Sequence, residues 1–122
     1  NHPLFDQDDT VLSVADVLQY KYAGLGYHSP NMEVGRRLGM SRNATVYDQE
    51  AIVHFLFSGR YLGYLPEHYA EQWVARGEIQ KIAPQHFNYL CEFKAISRYS
   101  PKPSRITRRF MECLDQAHAG DT

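Results

Sequence analysis

The stretch that decides the fold runs Gly59-Arg60-Tyr61-Leu62-Gly63-Tyr64-Leu65-Pro66. Residues 51–57 before it are almost uniformly apolar and predict a helix, and Gly59 has the position of the left-handed residue that ends one. Residues 61–65 are apolar enough for a short strand buried on both faces. Pro66 cannot donate to a sheet but suits the first position of a helix. The stretch therefore predicts a helix, a buried strand and a second helix in direct succession.

The pattern continues downstream. The predicted helix over residues 67–76 carries its apolar side chains on one face and ends at Gly77. Residues 78–82 alternate apolar and polar side chains, which predicts another strand. Helices and strands joined by such short turns are typical of a layered α/β sheet, mostly parallel and flanked by helices.

Three further elements are predicted upstream. Ser13 begins a short helix over residues 14–19. Residues 21–26 predict a strand whose two glycines allow a backbone or a ligand to approach closely. Ser29 followed by Pro30 is a strong helix start, and a strand over residues 44–47 follows that helix.

The last third predicts a returning strand and helix. Residues 88–99 alternate as a long strand would, and residues 105–117 place Ile106, Phe110, Cys113 and Leu114 at the spacing of a helix that faces a core. Cys91 and Cys113 are both expected to be small buried hydrophobic side chains.

The length, charge and residue composition of the chain restrict which classes of function are expected. A chain of 122 residues is long enough for one domain, and a net charge of −1 gives no global reason to expect nucleic-acid binding. The two cysteines form neither metal spacing nor a disulfide framework, which favours a reducing compartment. No apolar run has the length of a membrane span. The N-terminal segment is acidic and lacks the positively charged start of a signal peptide. The six histidines show no metal-ligand spacing, and no nucleophile has a paired base, so we expect no metal and no enzyme activity.

Residues 48–82 resemble the effector-binding domain of LysR-type bacterial transcription regulators, and His2-Pro3-Leu4 stands where that family has the same residues. The resemblance extends from His2 to about Leu114. One departure is Tyr61, where the family usually has a second glycine. The resemblance implies one lobe of a two-lobed domain like the periplasmic binding proteins. Residues 1–85 would form the second lobe, residues 86–122 would return to the other lobe, and the DNA-binding domain would lie upstream of this chain.

The candidate ligand site is the junction between the first strand and the next helix. Free N–H groups at a helix start attract anions, and ligands of parallel sheets bind at the carboxyl ends of strands. In LysR-type domains the equivalent junction contacts the effector. The expected effector-binding residues are Gly26, Tyr27, His28, Ser29, Pro30, Asn31 and Met32, joined by Asp48 and Gln49 from the next junction. The alternative is that Ser29 and Asp48 only cap their helices.

The resemblance implies a small-molecule effector-sensing regulatory domain without catalysis or cofactor. Its expected partners are a small anionic or aromatic metabolite and further copies of itself as a homodimer or tetramer. DNA would be contacted only through the missing domain, and no membrane would be involved, which implies a cytoplasmic location. A stand-alone or periplasmic solute-binding module is the alternative. A fragment with half of its cleft wall missing is expected to self-associate through unpartnered apolar surface.

Overall fold

The computed structural model describes residues 2–8, 11–27 and 33–120, and the chain divides into two compact units, residues 1–90 and residues 91–122. The first unit contains helices α1 (Val14–Leu18), α2 (Glu33–Arg37), α3 (Gln49–Phe57) and α4 (Glu67–Val74), and strands β1 (Lys21–Leu25), β2 (Ala44–Val46) and β3 (Tyr61–Leu62). The second unit contains helix α5 (Arg105–Ala117).

The three strands form one parallel sheet in the order β2-β1-β3. Leu25 pairs with Val46 on one side of β1, and Lys21 pairs with Tyr61 on the other. Each step from strand to strand passes through a helix, as parallel pairing requires. The predicted α/β class, with a parallel sheet flanked by helices, is confirmed.

Local signals define where the helices begin and end. Ser13 and Asp16 form a reciprocal capping box at α1, and the Asp48 carboxylate accepts a hydrogen bond at the start of α3. The predicted left-handed helix ends are confirmed by positive φ angles, +69° at Gly59 and +70° at Gly77. Helix α5 begins after Ser104, whose side chain accepts a hydrogen bond from the backbone of Thr107.

Apolar side chains are buried on both sides of this small sheet. One cluster joins Leu4, Leu12, Val17, Leu62 and Ala83. Ala23 and Leu25 of β1 are also buried, as are Ile52 and Val53 of α3. Helix α3 contacts both β1 and β3, so the stretch that follows it is held against the centre of the sheet.

The strand predicted over residues 78–82 is absent from the described structure, so this prediction is wrong. The segment is irregular, and the Gln80 side chain accepts a hydrogen bond of 2.8 Å from the Asp6 N–H. Ile82 packs against the Leu4 cluster. The segment is thus held by side-chain contacts with the N-terminal loop instead of a strand ladder.

The strand predicted over residues 88–99 is also wrong, because that segment is irregular. Every residue from 90 to 106 is exposed, so the alternating pattern has no neighbouring strand to pack on. Cys91 and Cys113 are exposed too, which contradicts their expected burial. Within the described residues, no helix combines the length and apolar character needed to cross a membrane.

Candidate functional site

Gly26 and Tyr27 lie at the carboxyl end of β1. The Gly26 N–H donates a hydrogen bond of 2.7 Å to the carbonyl of Val46, which holds this end of β1 beside β2. The Tyr27 side chain is exposed. The other residues predicted for this junction, His28, Ser29, Pro30, Asn31 and Met32, lie outside the described residues.

Asp48 and Gln49 lie at the carboxyl end of the neighbouring strand, since they follow β2 closely. The Asp48 Oδ1 accepts a hydrogen bond of 2.7 Å from the Ala51 N–H, so Asp48 caps α3. The Gln49 Oε1 is buried and has no hydrogen-bond partner among the described residues. The register Leu25↔Val46 puts these residues on the same edge of the sheet as Gly26.

A cleft of about 310 Å³ opens beside β1. It is lined by residues of β1, of α2 and of the connections on either side of that helix, and we call it the crossover cleft. Its lining residues are Tyr22, Gly26, Tyr27, Glu33, Gly35, Arg36, Met40, Ser41 and Arg42. Gly26 and Tyr27 of the predicted set line this cleft, whereas Asp48 and Gln49 are not among these residues.

Arg42 is a candidate site residue that the sequence reasoning missed. Its Nη1 donates a hydrogen bond to the carbonyl of Leu25 at the end of β1. Its Cγ and Cδ lie 2.9 Å from the position that a Cβ at residue 24 would occupy. Gly24 therefore leaves the space through which the arginine crosses the strand. One signal in the sequence could have pointed to this arrangement. Gly24 and Gly26 lie two residues apart on the same face of the predicted strand, and the absence of side chains there leaves room for another group to approach.

Two tyrosines next to the cleft keep their hydroxyl protons at neutral pH. Burial, together with the neighbouring Tyr22 and Tyr89, raises the pKa of Tyr64 to about 12. Burial also raises the pKa of Tyr22, although the Arg42 guanidinium opposes that shift. The ring centroids of Tyr22 and Tyr64 lie 6.1 Å apart in an edge-on arrangement. Because both hydroxyls stay neutral, neither adds a negative charge, and the Tyr64 hydroxyl donates to the Sδ of Met40 at 3.8 Å.

Two cations and one anion line the cleft. Arg36 and Glu33 form an ion pair of 3.4 Å across one helical turn. Arg42 makes no ion pair with a carboxylate of the described residues. Across the described parts of the chain, no three His, Cys, Asp or Glu side chains group as metal ligands. The lining residues that the structure describes therefore combine aromatic side chains, hydroxyl groups and one surplus positive charge, an arrangement suited to holding a small ligand.

The chain is similar to the HTH-type transcriptional activator BauR of Pseudomonas aeruginosa, with 29% identity over 113 residues. The match covers 93% of this chain and 37% of the relative, so the chain spans little more than a third of that protein's length. No protein-family model and no solved structure matches the chain. The match confirms the resemblance to the C-terminal region of a LysR-type regulator.

Proposed function

Because the chain resembles the C-terminal region of a LysR-type regulator, we propose that it senses a small-molecule effector and thereby controls transcription. The crossover cleft is the observation that carries this proposal, since Gly26 and Tyr27 line it at the carboxyl end of a parallel strand. In the proposal, residues 28–32 and the pair Asp48 and Gln49 complete the effector site.

The proposed mechanism is differential affinity. The effector binds one arrangement of lobes or subunits more tightly than another and shifts the population of a DNA-bound oligomer by that difference. No bond is made or broken. DNA is contacted through a region outside this chain, and the assembly is a homodimer or tetramer that acts in the cytoplasm. The similarity to a transcriptional activator does not favour the alternative of a stand-alone or periplasmic solute-binding module.

The proposed domain organisation follows the same logic. Residues 1–85 form the second lobe of the effector-binding domain, and residues 86–122 return to the other lobe. The exposed side chains between residues 90 and 106 support this proposal. Apolar and polar side chains alternate in part of this segment, and exposed apolar side chains of this kind are suited to packing against another protein surface, here the other lobe.

A reporter experiment tests the function. The complete native gene is expressed in its source cells with a reporter on the promoter it controls, and small acids, amines and aromatic metabolites are added one at a time. At least one compound is expected to change reporter output, and Tyr27→Ala is expected to raise the concentration needed by about tenfold, the effect of one lost ligand contact.

Phe57→Ala is the matched control, because Phe57 is an aromatic side chain of comparable exposure, 46% against 50% for Tyr27, and does not line the cleft. Both variants should keep DNA binding without effector, measured by gel shift. If no compound changes the output, or if Tyr27→Ala and Phe57→Ala shift the response equally, the proposed function is wrong.

A further inference from the structure

The charges that line the crossover cleft are unevenly compensated. Glu33 offsets Arg36 at 3.4 Å, whereas Arg42 has no carboxylate partner among the described residues. The described lining residues of the cleft therefore carry one surplus positive charge, that of the Arg42 guanidinium. A guanidinium has five N–H donors in a planar fork, so the hydrogen bond to the Leu25 carbonyl leaves donors for a ligand.

Resting on the proposed function, we propose that the crossover cleft binds the carboxylate of a small organic acid and that Arg42 selects for it. The guanidinium fork matches the two oxygens of a carboxylate in geometry and charge. Tyr22 and Ser41 line the same cleft, and each carries a hydroxyl that can donate to a carboxylate. The aromatic face of Tyr27 offers a surface for the apolar part of the acid.

Arg42 is already held in place before any ligand arrives. Its aliphatic part lies over Gly24, where a side chain would leave no room, and its Nη1 is fixed on the end of β1. A cation whose side chain is ordered in the free protein loses little conformational entropy when it binds a ligand. The anchoring therefore makes Arg42 a better anion receptor than a free surface arginine.

The charge balance and the size of the cleft narrow the ligand class. A phosphate ester carries nearly two negative charges, while the described lining supplies one surplus positive charge once Glu33 has offset Arg36. A monocarboxylate is neutralised by Arg42 alone. The volume of about 310 Å³ lies at the lower end of the range for ligand pockets, which favours a compact acid.

Titrations with butyrate, butyramide, butylamine and methyl phosphate test the proposal at constant ionic strength. The backbone amide signals of Gly26 and Tyr27 are followed by NMR in the 122-residue chain. Butyrate is expected to shift both signals saturably, with the other three probes binding at least about tenfold more weakly. A neutral or cationic group cannot pair with the guanidinium, and a dianion would leave one of its negative charges uncompensated in the cleft.

Two variants connect the selectivity to Arg42. Arg42→Gln should weaken butyrate binding by about tenfold or more, and Arg42→Lys should fall between it and the unmodified chain, because lysine keeps the charge without the planar fork. Arg37→Gln removes the same charge from α2 at a position that does not line the cleft, and it should bind butyrate as the unmodified chain does. Unfolding in urea verifies that all three variants are folded.

Several outcomes would overturn the carboxylate proposal. If butyramide or butylamine binds as tightly as butyrate, the cleft does not select for a negative charge. If methyl phosphate binds as tightly or more tightly, the cleft does not prefer a single negative charge. Loss of butyrate binding in Arg37→Gln to the same degree would assign the effect to general electrostatics. The absence of any shift at Gly26 and Tyr27 would also overturn it. None of these results bears on the reporter experiment with Tyr27→Ala, so the effector-sensing function can stand while the carboxylate assignment fails.

Discussion

Gly63 shows how closely the centre of this sheet is packed. A Cβ at this position would lie 2.8 Å from the Cγ2 of Ile52 and 3.3 Å from the carbonyl oxygen of Ala23. Ile52 is only 2% exposed and Ala23 is fully buried, so neither neighbour has free space to move into. Only a residue without a side chain fits between β1 and α3 here.

Replacing this glycine should destabilise the first unit. Gly63→Ala is expected to lower the free energy of unfolding by about 1–3 kcal/mol, the usual effect of overpacking a core. Gly35→Ala is the matched control, because its nearest neighbour, the Sδ of Met40, would lie 3.6 Å away in ordinary contact. Alanine is also favoured over glycine within a helix, so that variant should be as stable as the unmodified chain or more stable. Urea unfolding, followed by the fluorescence of Trp73, makes the comparison, and equal midpoints for both variants would contradict this account.

Among the elements, helix α1 depends most visibly on its cap. The Asp16 carboxylate accepts hydrogen bonds from the Ser13 hydroxyl at 2.7 Å and from the Ser13 N–H at 2.9 Å, and the Ser13 Oγ accepts the Asp16 N–H in return. These hydrogen bonds, the side-chain bond first, lower the pKa of Asp16 below its ordinary value of 3.8. The box places Val17 of this short helix in the buried cluster with Leu4 and Leu62.

The capping box should make the stability of α1 depend on pH. Because the pKa of Asp16 is lower in the folded chain, its contribution to stability is fully present above the unfolded value and is lost as the pH falls through the folded value. Asp16→Ala should therefore be less stable than the unmodified chain at pH 7, and the difference should shrink as the pH falls below 3.8 and through the lowered pKa of the folded chain. Urea unfolding of both proteins across this range measures the difference. A gap that stays constant down to the lowest pH would exclude the ionised carboxylate as its source.

At the scale of the whole molecule, the unit formed by residues 91–122 leaves much apolar surface in water. Ile106 of α5 is 82% exposed and Phe110 is 64% exposed, although both lie on the apolar side of the helix. No described segment covers these residues, so the described part of the chain does not supply the core that their spacing predicts. An apolar stripe of this kind on a helix is suited to burial against another surface.

Self-association is the expected consequence. Sedimentation velocity should show a concentration-dependent dimer or larger species for the 122-residue chain, and Phe110→Glu should shift the population towards monomer because it places a charge within the apolar stripe. Gln116→Glu adds the same charge to α5 away from that stripe and should leave the association unchanged. A chain that stays monomeric at high concentration, or equal effects of both variants, would rule out this face as the contact.

The sequence predicted the locally encoded features well. Serine and aspartate caps, a proline after a strand and glycines at helix ends act within a few residues of their own positions, and the structure contains the predicted helix ends at Gly59 and Gly77. The resemblance to LysR-type regulators also depended on this local pattern of apolar and turn residues. The site prediction reached Gly26 and Tyr27 of the crossover cleft but missed Arg42, which no local motif marks.

The sequence by itself determined the α/β class, the succession of elements from α1 to α4 and the caps at Ser13 and Asp48, since each of these depends on short-range hydrogen bonds and side-chain spacing. Only the tertiary structure decided which alternating segments pair as strands, because an alternating segment becomes a strand only where a partner offers its backbone groups. Residues 78–82 and 88–99 find no such partner in the described chain. The position of Arg42 beside Leu25 also depends on the tertiary structure. The parallel connection from β1 through α2 to β2 brings the loop that carries Arg42 across Gly24, although the two residues are distant in the sequence.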